Sequence, residues 1–375
     1  MQYIDLGQQR PKKSNKARKI VKWGALTVLL GIVVYAAYVL YWPTATLIRQ
    51  ILKQPSSVFS LISNPKGQLK SEDGRTNFLL IGIDKRANIP YTYTTTNGVV
   101  HKNGFLTDTI IVASIDKKTK KVAMISIPRD LWVQVPSSAG YPAHSSKINA
   151  VYAYGDSINY SGGGAALLKN QVESILGISI QYYGRIDFEG FRQAIDDLGG
   201  VDITVDKTFD DYEYPVEGQE SANCHNGTFS CRYEHLHFDA GLAHMDGETA
   251  LSFVRSRHGT NGEGSDFARA KRQQKVLMAA KDKALKLTNL FDPIKLNNLF
   301  KDFNQSIETD MDVSSIIALY NLGKEINVGS LNTLVIDNSN YLIVPPADQY
   351  GGAYVLIPKS GSWTDIQKAV DQVLN

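Results

Sequence analysis

The sequence predicts an α/β fold in which a mixed central β-sheet is sandwiched between helical layers (α-β-α), preceded by one N-terminal transmembrane helix. Three observations predict it. Short, nearly continuous apolar runs at 78–83, 109–115 and 122–127 read as strands covered on both faces. Longer segments with apolar residues at helical spacing follow them, and two of these close on a glycine. Far upstream, an uncharged run over 23–42 follows a basic tail and has the length of a membrane span.

In chain order the tail comes first. Residues 1–22 carry seven lysines and arginines against Asp5, a net +6; the whole chain is +3, so the remainder is −3. A basic flank orients an anchor with its amino terminus in the cytoplasm, and Trp23 and Trp42 suit the two interfaces. A cleavable signal peptide has an apolar core of about 7 to 15 residues, shorter than this run, so the reading is an uncleaved single-pass helix. Everything beyond it is then extracytoplasmic. The slightly acidic balance of that part argues against general attraction to nucleic acid. About 22 internal residues are also too few for a folded DNA-binding unit.

Residues 43–76 form a turn-rich linker, with Pro55-Ser-Ser57 and Asn64-Pro-Lys-Gly67. One domain is expected over 77–375, with a surface insertion around 210–238. Leu167, Leu168, Val172, Ile175 and Leu176 share one helical face, as do Phe188, Phe191, Ala194, Ile195 and Leu198, and Gly177 and Gly199 close the two segments. The longest helix is expected over 265–288, and further helices over 312–325 and 362–374.

The chemistry-bearing residues fall at the ends of these elements, where α/β sheets gather their ligands. Asp84 and Arg86 follow the first strand, Asp108 opens the second, Arg129-Asp130 closes the third, and Lys147-Ile-Asn149 lies beyond. Arg255 and Arg257 precede a helix that brings Arg269, Arg272 and Gln273. Guanidinium groups are permanently charged planar forks matched to phosphate oxygens, so their recurrence points to a phosphate-rich anion. Taken singly, Arg129-Asp130 reads as a structural ion pair and the Arg269 series as a solvated helix face. His258 reads as a supporting hydrogen-bonder. Cys224 and Cys231, the only two cysteines, are expected to form a disulfide across a short turn in an oxidising compartment. A zinc site using Cys224, Cys231, His235 and His237 is the alternative.

Together, Gly82-Ile-Asp84-Lys-Arg86, Thr107-Asp108-Thr, Ser126-Ile-Pro-Arg129-Asp130, Lys147-Ile-Asn149, Gly199-Gly-Val-Asp202, Met245-Asp-Gly247, Arg255-Ser-Arg257-His258 and Arg269-Ala-Lys-Arg272-Gln273 resemble the LytR-CpsA-Psr family. That resemblance implies an extracytoplasmic phosphotransferase. It would move a glycopolymer with its phosphate from a polyprenyl-pyrophosphate carrier to peptidoglycan or a related wall acceptor. Teichoic acid, capsular polysaccharide and arabinogalactan are the cargos it implies. It further implies Mg²⁺ (or Mn²⁺) on Asp84 and Asp108, and diphosphate contacts from Arg86, Arg129, Lys147, Arg255, Arg257, Arg269, Arg272 and Gln273. The base is Asp108 or Asp130. A polyprenyl-diphosphate phosphatase or a non-enzymatic lipid-glycan binding protein would use the same groups. The chain departs from the family at Leu106, where an arginine is common two residues before the second aspartate, and in a polar insertion over 88–103.

Overall fold

The computed structural model describes residues 68–85, 104–138, 140–219, 222–224, 228–286, 306–326 and 331–375, together with the backbone of 92–94 and 100–102. The expected basic tail, the membrane helix at 23–42, nearly all of the linker, Arg86 and most of the 88–103 insertion lie outside the described residues. The chain divides into Met1–Ser63 and Asn64–Asn375, and everything below concerns the second unit. Among the described residues no helix is long and apolar enough to cross a membrane.

The elements follow in order. β1 (Arg75–Ile83) leads to a hairpin of β2 (Thr92–Thr94) and β3 (Val100–Lys102), then to β4 (Thr107–Asp116), β5 (Val122–Ile127), β6 (Trp132–Val135) and β7 (His144–Lys147). Helices α1 (Ile148–Ser157) and α2 (Gly163–Leu176) precede β8 (Tyr182–Asp187), α3 (Phe188–Asp197) and β9 (Val201–Val205). Next come β10 (Phe209–Pro215), β11 (Tyr233–Phe238), β12 (Gly241–Met245), α4 (Gly247–Arg255) and the long α5 (Asp266–Lys286). The chain ends with β13 (Ile307–Thr309), α6 (Val313–Glu325), β14 (Leu331–Val335), β15 (Leu342–Ile343), β16 (Ile357–Pro358) and α7 (Thr364–Leu374).

The main sheet is six-stranded in the order β13-β8-β1-β4-β5-β14. It is mixed: β1 runs parallel to β8 and antiparallel to β4, and β4 is antiparallel to β5. Its side chains alternate between two cores, as the pleat requires. Leu79, Ile81, Ile83, Ile110, Val112, Ile125 and Ile127 pack with Val151 of α1, Leu168 and Val172 of α2 and Val370 of α7. Phe78, Ile111, Ile115, Val122 and Met124 face the other way, toward Met278 of α5 and Leu322 of α6. All six residues of β5 are therefore buried, which explains a sequence that is apolar except at Ser126.

Three helix starts, those of α3, α4 and α6, are capped by an aspartate side chain. Asp187 accepts from Gly190 N at 2.8 Å, Asp246 from Thr249 N at 2.8 Å and Asp312 from Ser315 N at 2.7 Å, each satisfying an amide that has no partner within its helix. Gly177 ends α2 at φ 72°, the left-handed region where a β-carbon is penalised.

One expectation needs correcting. Residues 210–238 are not wholly on the surface, because Phe238 joins a third core formed chiefly by β9, α4 and their neighbours. Phe209 and Phe238 pack there with Phe253 of α4 and Val201 of β9, and Asp211 is fully buried. Alternation along β10 places Phe209 and Asp211 on one face, a period-two signal overshadowed by the turn-rich cysteine loop that follows.

Candidate active site

The sheet topology brings distant segments to one edge. Because β1, β4 and β5 alternate in direction, the end of β1, the start of β4 and the end of β5 lie side by side. Asp84 N donates to Leu106 O at 3.0 Å just past a register shift at Gly82/Ile83, and this fixes Asp84 beside the strand that carries Asp108. Glycine at 82 is required by proximity: a β-carbon there would come within 2.9 Å of Thr109 Cβ. The Thr109 hydroxyl in turn accepts from Gln273 Nε2 at 3.1 Å, tying α5 to the same edge.

Here a cavity of about 600 Å³ opens, lined by Asp84, Asp108, Arg129, Arg255, Arg257, Arg269 and Gln273. Seven of the sequence-predicted residues thus meet in one hollow. The rest of its wall is largely apolar, with Leu80, Ile111, Ile186, Phe191, Leu251, Val254 and Leu277 reaching into the space between the sheet and helices α3, α4 and α5. A hydrocarbon surface and a cluster of cations share one enclosure.

Each arginine is held differently. Arg129 Nη1 donates to both oxygens of Asp108 at 2.8 Å, and its Nε stands 3.5 Å from Asp130. Burial opposes the Arg129 charge, but Asp108, Asp130 and Asp266 outweigh it and hold the group above its ordinary value. Arg255 Nη1 donates to Tyr214 Oη at 2.9 Å, and its guanidinium lies 4.1 Å over the Phe188 ring. Arg269 bonds Asp266 at 2.9 Å, yet burial keeps its pKa below the usual arginine range. Arg257 is the least compensated. Burial, then the charges of Arg269 and Arg129, push it down to about 10. A cation disfavoured by both desolvation and like charge is a site prepared for an anion.

Several expected ligands stand elsewhere. Arg272 does not line the cavity. Its guanidinium is buried and spent on Phe253 O, Glu263 O, Ser256 O and the Glu263 carboxylate, at 2.6 to 2.8 Å. It therefore braces the loop that carries Arg257 instead of gripping a ligand. Lys147 and Asp130 also lie off the lining, paired to each other at 2.6 Å. Leu106 is half-exposed and off the lining as well. His258 lines the cavity with its ring 3.4 Å from Glu213.

Sequence reasoning missed Asp211, Tyr214 and Phe188. Asp211 is buried at the cavity wall and organises the arginine loop: its Oδ2 accepts from Ser256 Oγ, Arg257 N and His258 N. Burial would raise its pKa, but the bonds from Ser256, Glu213, His258 and Arg257 prevail and hold it below the usual carboxylate range. Tyr214 and Phe188 had no motif to mark them. Only the fold brings their rings against Arg255.

Residues 49–372 match the profile of the LytR_cpsA_psr family. The chain belongs to that family. Among its relatives is the polyisoprenyl-teichoic acid--peptidoglycan teichoic acid transferase TagU of Oceanobacillus iheyensis, 28% identical over 312 residues, covering 82% of each chain. TagV of Bacillus subtilis, named for the same activity, is 27% identical over 268 residues, which are 72% of this chain and 60% of TagV. The crystal structure of B. subtilis TagV superposes with a TM-score of 0.54 at 25% identity, covering 81% of this chain and 98% of that one. The mixed sheet with its helices is accordingly the LytR_cpsA_psr fold.

Proposed function

We propose that this protein transfers a glycopolymer, with its linking phosphate, from a polyprenyl-pyrophosphate carrier to a hydroxyl of peptidoglycan. The observation that carries the proposal is the joining, in one cavity, of an apolar wall and the cluster of Arg129, Arg255, Arg257 and Arg269. A polyprenyl diphosphate is long and apolar at one end and polyanionic at the other, and few other metabolites need both surfaces at once. Teichoic acid is the preferred cargo, after the names of TagU and TagV.

The acceptor hydroxyl attacks the phosphorus attached to the glycan. A new phosphate ester bond forms, the phosphoanhydride P–O bond breaks, and polyprenyl phosphate leaves with the bridging oxygen. Arg257, Arg255 and Arg269 stabilise the charge that accumulates on the departing phosphate, a preorganised arrangement in a site partly shielded from water. The hydroxyl proton passes to a carboxylate. Asp108 lines the cavity and Asp130 does not, which favours Asp108. Arg129 aligns Asp108 through both of its oxygens.

Asp84 and Asp108 offer hard oxygen donors at adjoining strand ends, a donor set that fits Mg²⁺ or Mn²⁺. When bound, the ion would neutralise diphosphate charge beside the arginines. The predicted helix at 23–42 would keep the domain at the outer membrane–water boundary, where a lipid carrier presents its head.

Purified full-length chain, lipid-linked glycopolymer and peptidoglycan fragments test the reaction. Glycan-phosphate-peptidoglycan and polyprenyl monophosphate are expected in equal amounts, and only with acceptor present. Release of free glycan phosphate at the same rate without acceptor would instead mark a hydrolase.

A further inference from the structure

The outer face of the β10–β11 hairpin carries a second constellation of donors that the transfer reaction does not use. His235 and His237 are two apart on β11 and so share one side of the strand. Asp210 lies opposite His237 in the antiparallel register. Its Oδ1 is faced by His235 Nε2 at 2.7 Å and by His237 Nδ1 at 2.8 Å. The donor atoms of all three residues lie within 4.8 Å of one another. The remaining nitrogen of His237 is itself engaged, 3.3 Å from Asp239 Oδ1, and the His235 ring stacks on Tyr212 at 4.3 Å.

We propose that Asp210, His235 and His237 bind a divalent transition cation of the zinc class, at a site separate from the oxygen-rich pair Asp84 and Asp108. Two imidazole nitrogens and one carboxylate oxygen are a donor set such ions take, with a fourth position left to water. A carboxylate on the far nitrogen of a ligating histidine fixes the tautomer that turns its lone pair to the metal, and Asp239 stands in that relation to His237. Metal–donor bonds of about 2.0 to 2.1 Å around a tetrahedral ion separate the donors by about 3.3 Å. The present 2.7 and 2.8 Å contacts then need to open by about half an ångström, which the half-exposed rings allow.

The cation has a structural consequence. The same hairpin carries Asp211 and Tyr214, so a metal bridging its strands stiffens the wall behind Arg255 and Arg257. Cys224 and Cys231, the other ligands of the zinc alternative, are bonded to each other and take no part.

The full-length chain in detergent, stripped with chelator and supplied with excess Mg²⁺ to occupy the oxygen site, is titrated with Co²⁺ and then Zn²⁺. One equivalent of cobalt with a tetrahedral absorption spectrum, displaced by zinc, is expected. Affinity should fall about 100-fold in His235→Ala and His237→Ala and about 10-fold in Asp239→Asn, and stay unchanged in Asp108→Asn. Zinc should raise the Tm of the wild type but not of His235→Ala, while Tm values in chelator show that the variants fold. Unchanged zinc affinity in both histidine variants, or cobalt that keeps the octahedral spectrum of its hydrate, overturns the proposal.

Discussion

Asp211 fixes the backbone of Arg257 from 46 residues away, its Oδ2 accepting the Arg257 amide at 3.1 Å. The same oxygen takes Ser256 Oγ at 2.7 Å and His258 N at 3.2 Å, so one buried carboxylate shapes the whole arginine loop. Replacing it with asparagine removes a charged acceptor and turns part of the loop loose. Asp211→Asn should cost about 2 kcal/mol of stability and lower transfer as well, measured by thermal unfolding and by product formation.

Acid should expose the same relationship. The folded-state pKa of Asp211 lies below the unfolded value of about 3.9. Its stabilisation is therefore complete above that pH and lost as pH falls through the folded value. Below about pH 4 the Tm of the wild type should fall more steeply than that of Asp211→Asn. Parallel curves would show that the carboxylate contributes nothing to the loop.

Arg257 and Arg272 should separate binding from folding. Arg257 lines the cavity with little compensating charge and is a proposed diphosphate contact, so Arg257→Ala should leave Tm nearly intact and reduce kcat/KM by about 100-fold. Inorganic pyrophosphate should raise the Tm of the wild type and fail to do so in that variant. Arg272→Ala instead strands Glu263 and three carbonyls in the interior, and should cost about 3 kcal/mol in unfolding experiments.

Divalent metal should matter to turnover. Chelator should slow transfer, Mg²⁺ should restore it, and Asp84→Asn should weaken the dependence on added Mg²⁺ concentration. Undiminished rates in chelator would remove Asp84 and Asp108 from a metal role.

The Cys224–Cys231 bridge closes a short loop just before β11, whose first residue, Tyr233, lines the cavity. Cys224→Ser with Cys231→Ser should loosen the hairpin by about 2 kcal/mol. Hydrogen exchange should quicken over 209–238, and the KM for the lipid substrate should rise because Tyr214 and Tyr233 share that wall.

Where the sequence was legible, local physics sufficed. The strand at 122–127 is read to the residue because burial on both faces demands a nearly continuous apolar run. The helix predicted over 265–288 runs from Asp266 to Lys286, and those over 312–325 and 362–374 shift by no more than two residues. Polar and charged residues at strand and helix ends pointed to the cavity, and seven of the expected site residues line it. The spacing of Arg269 and Arg272 cannot reveal that one guanidinium turns to the hollow and the other to backbone carbonyls. Asp211 and Phe188 were invisible for a related reason: their importance arises from partners far along the chain, which only tertiary structure supplies.

The stacking of Arg255 between Phe188 and Tyr214 places a cation at the seam where oil-like and ionic surfaces meet. On the proposed function, Arg255 would gauge the carrier at the junction of its tail and head, and nothing in that contact would measure the sugar chain. Turnover should consequently be indifferent to how many repeat units hang from the carrier, so that one small pocket can serve polymers of any length.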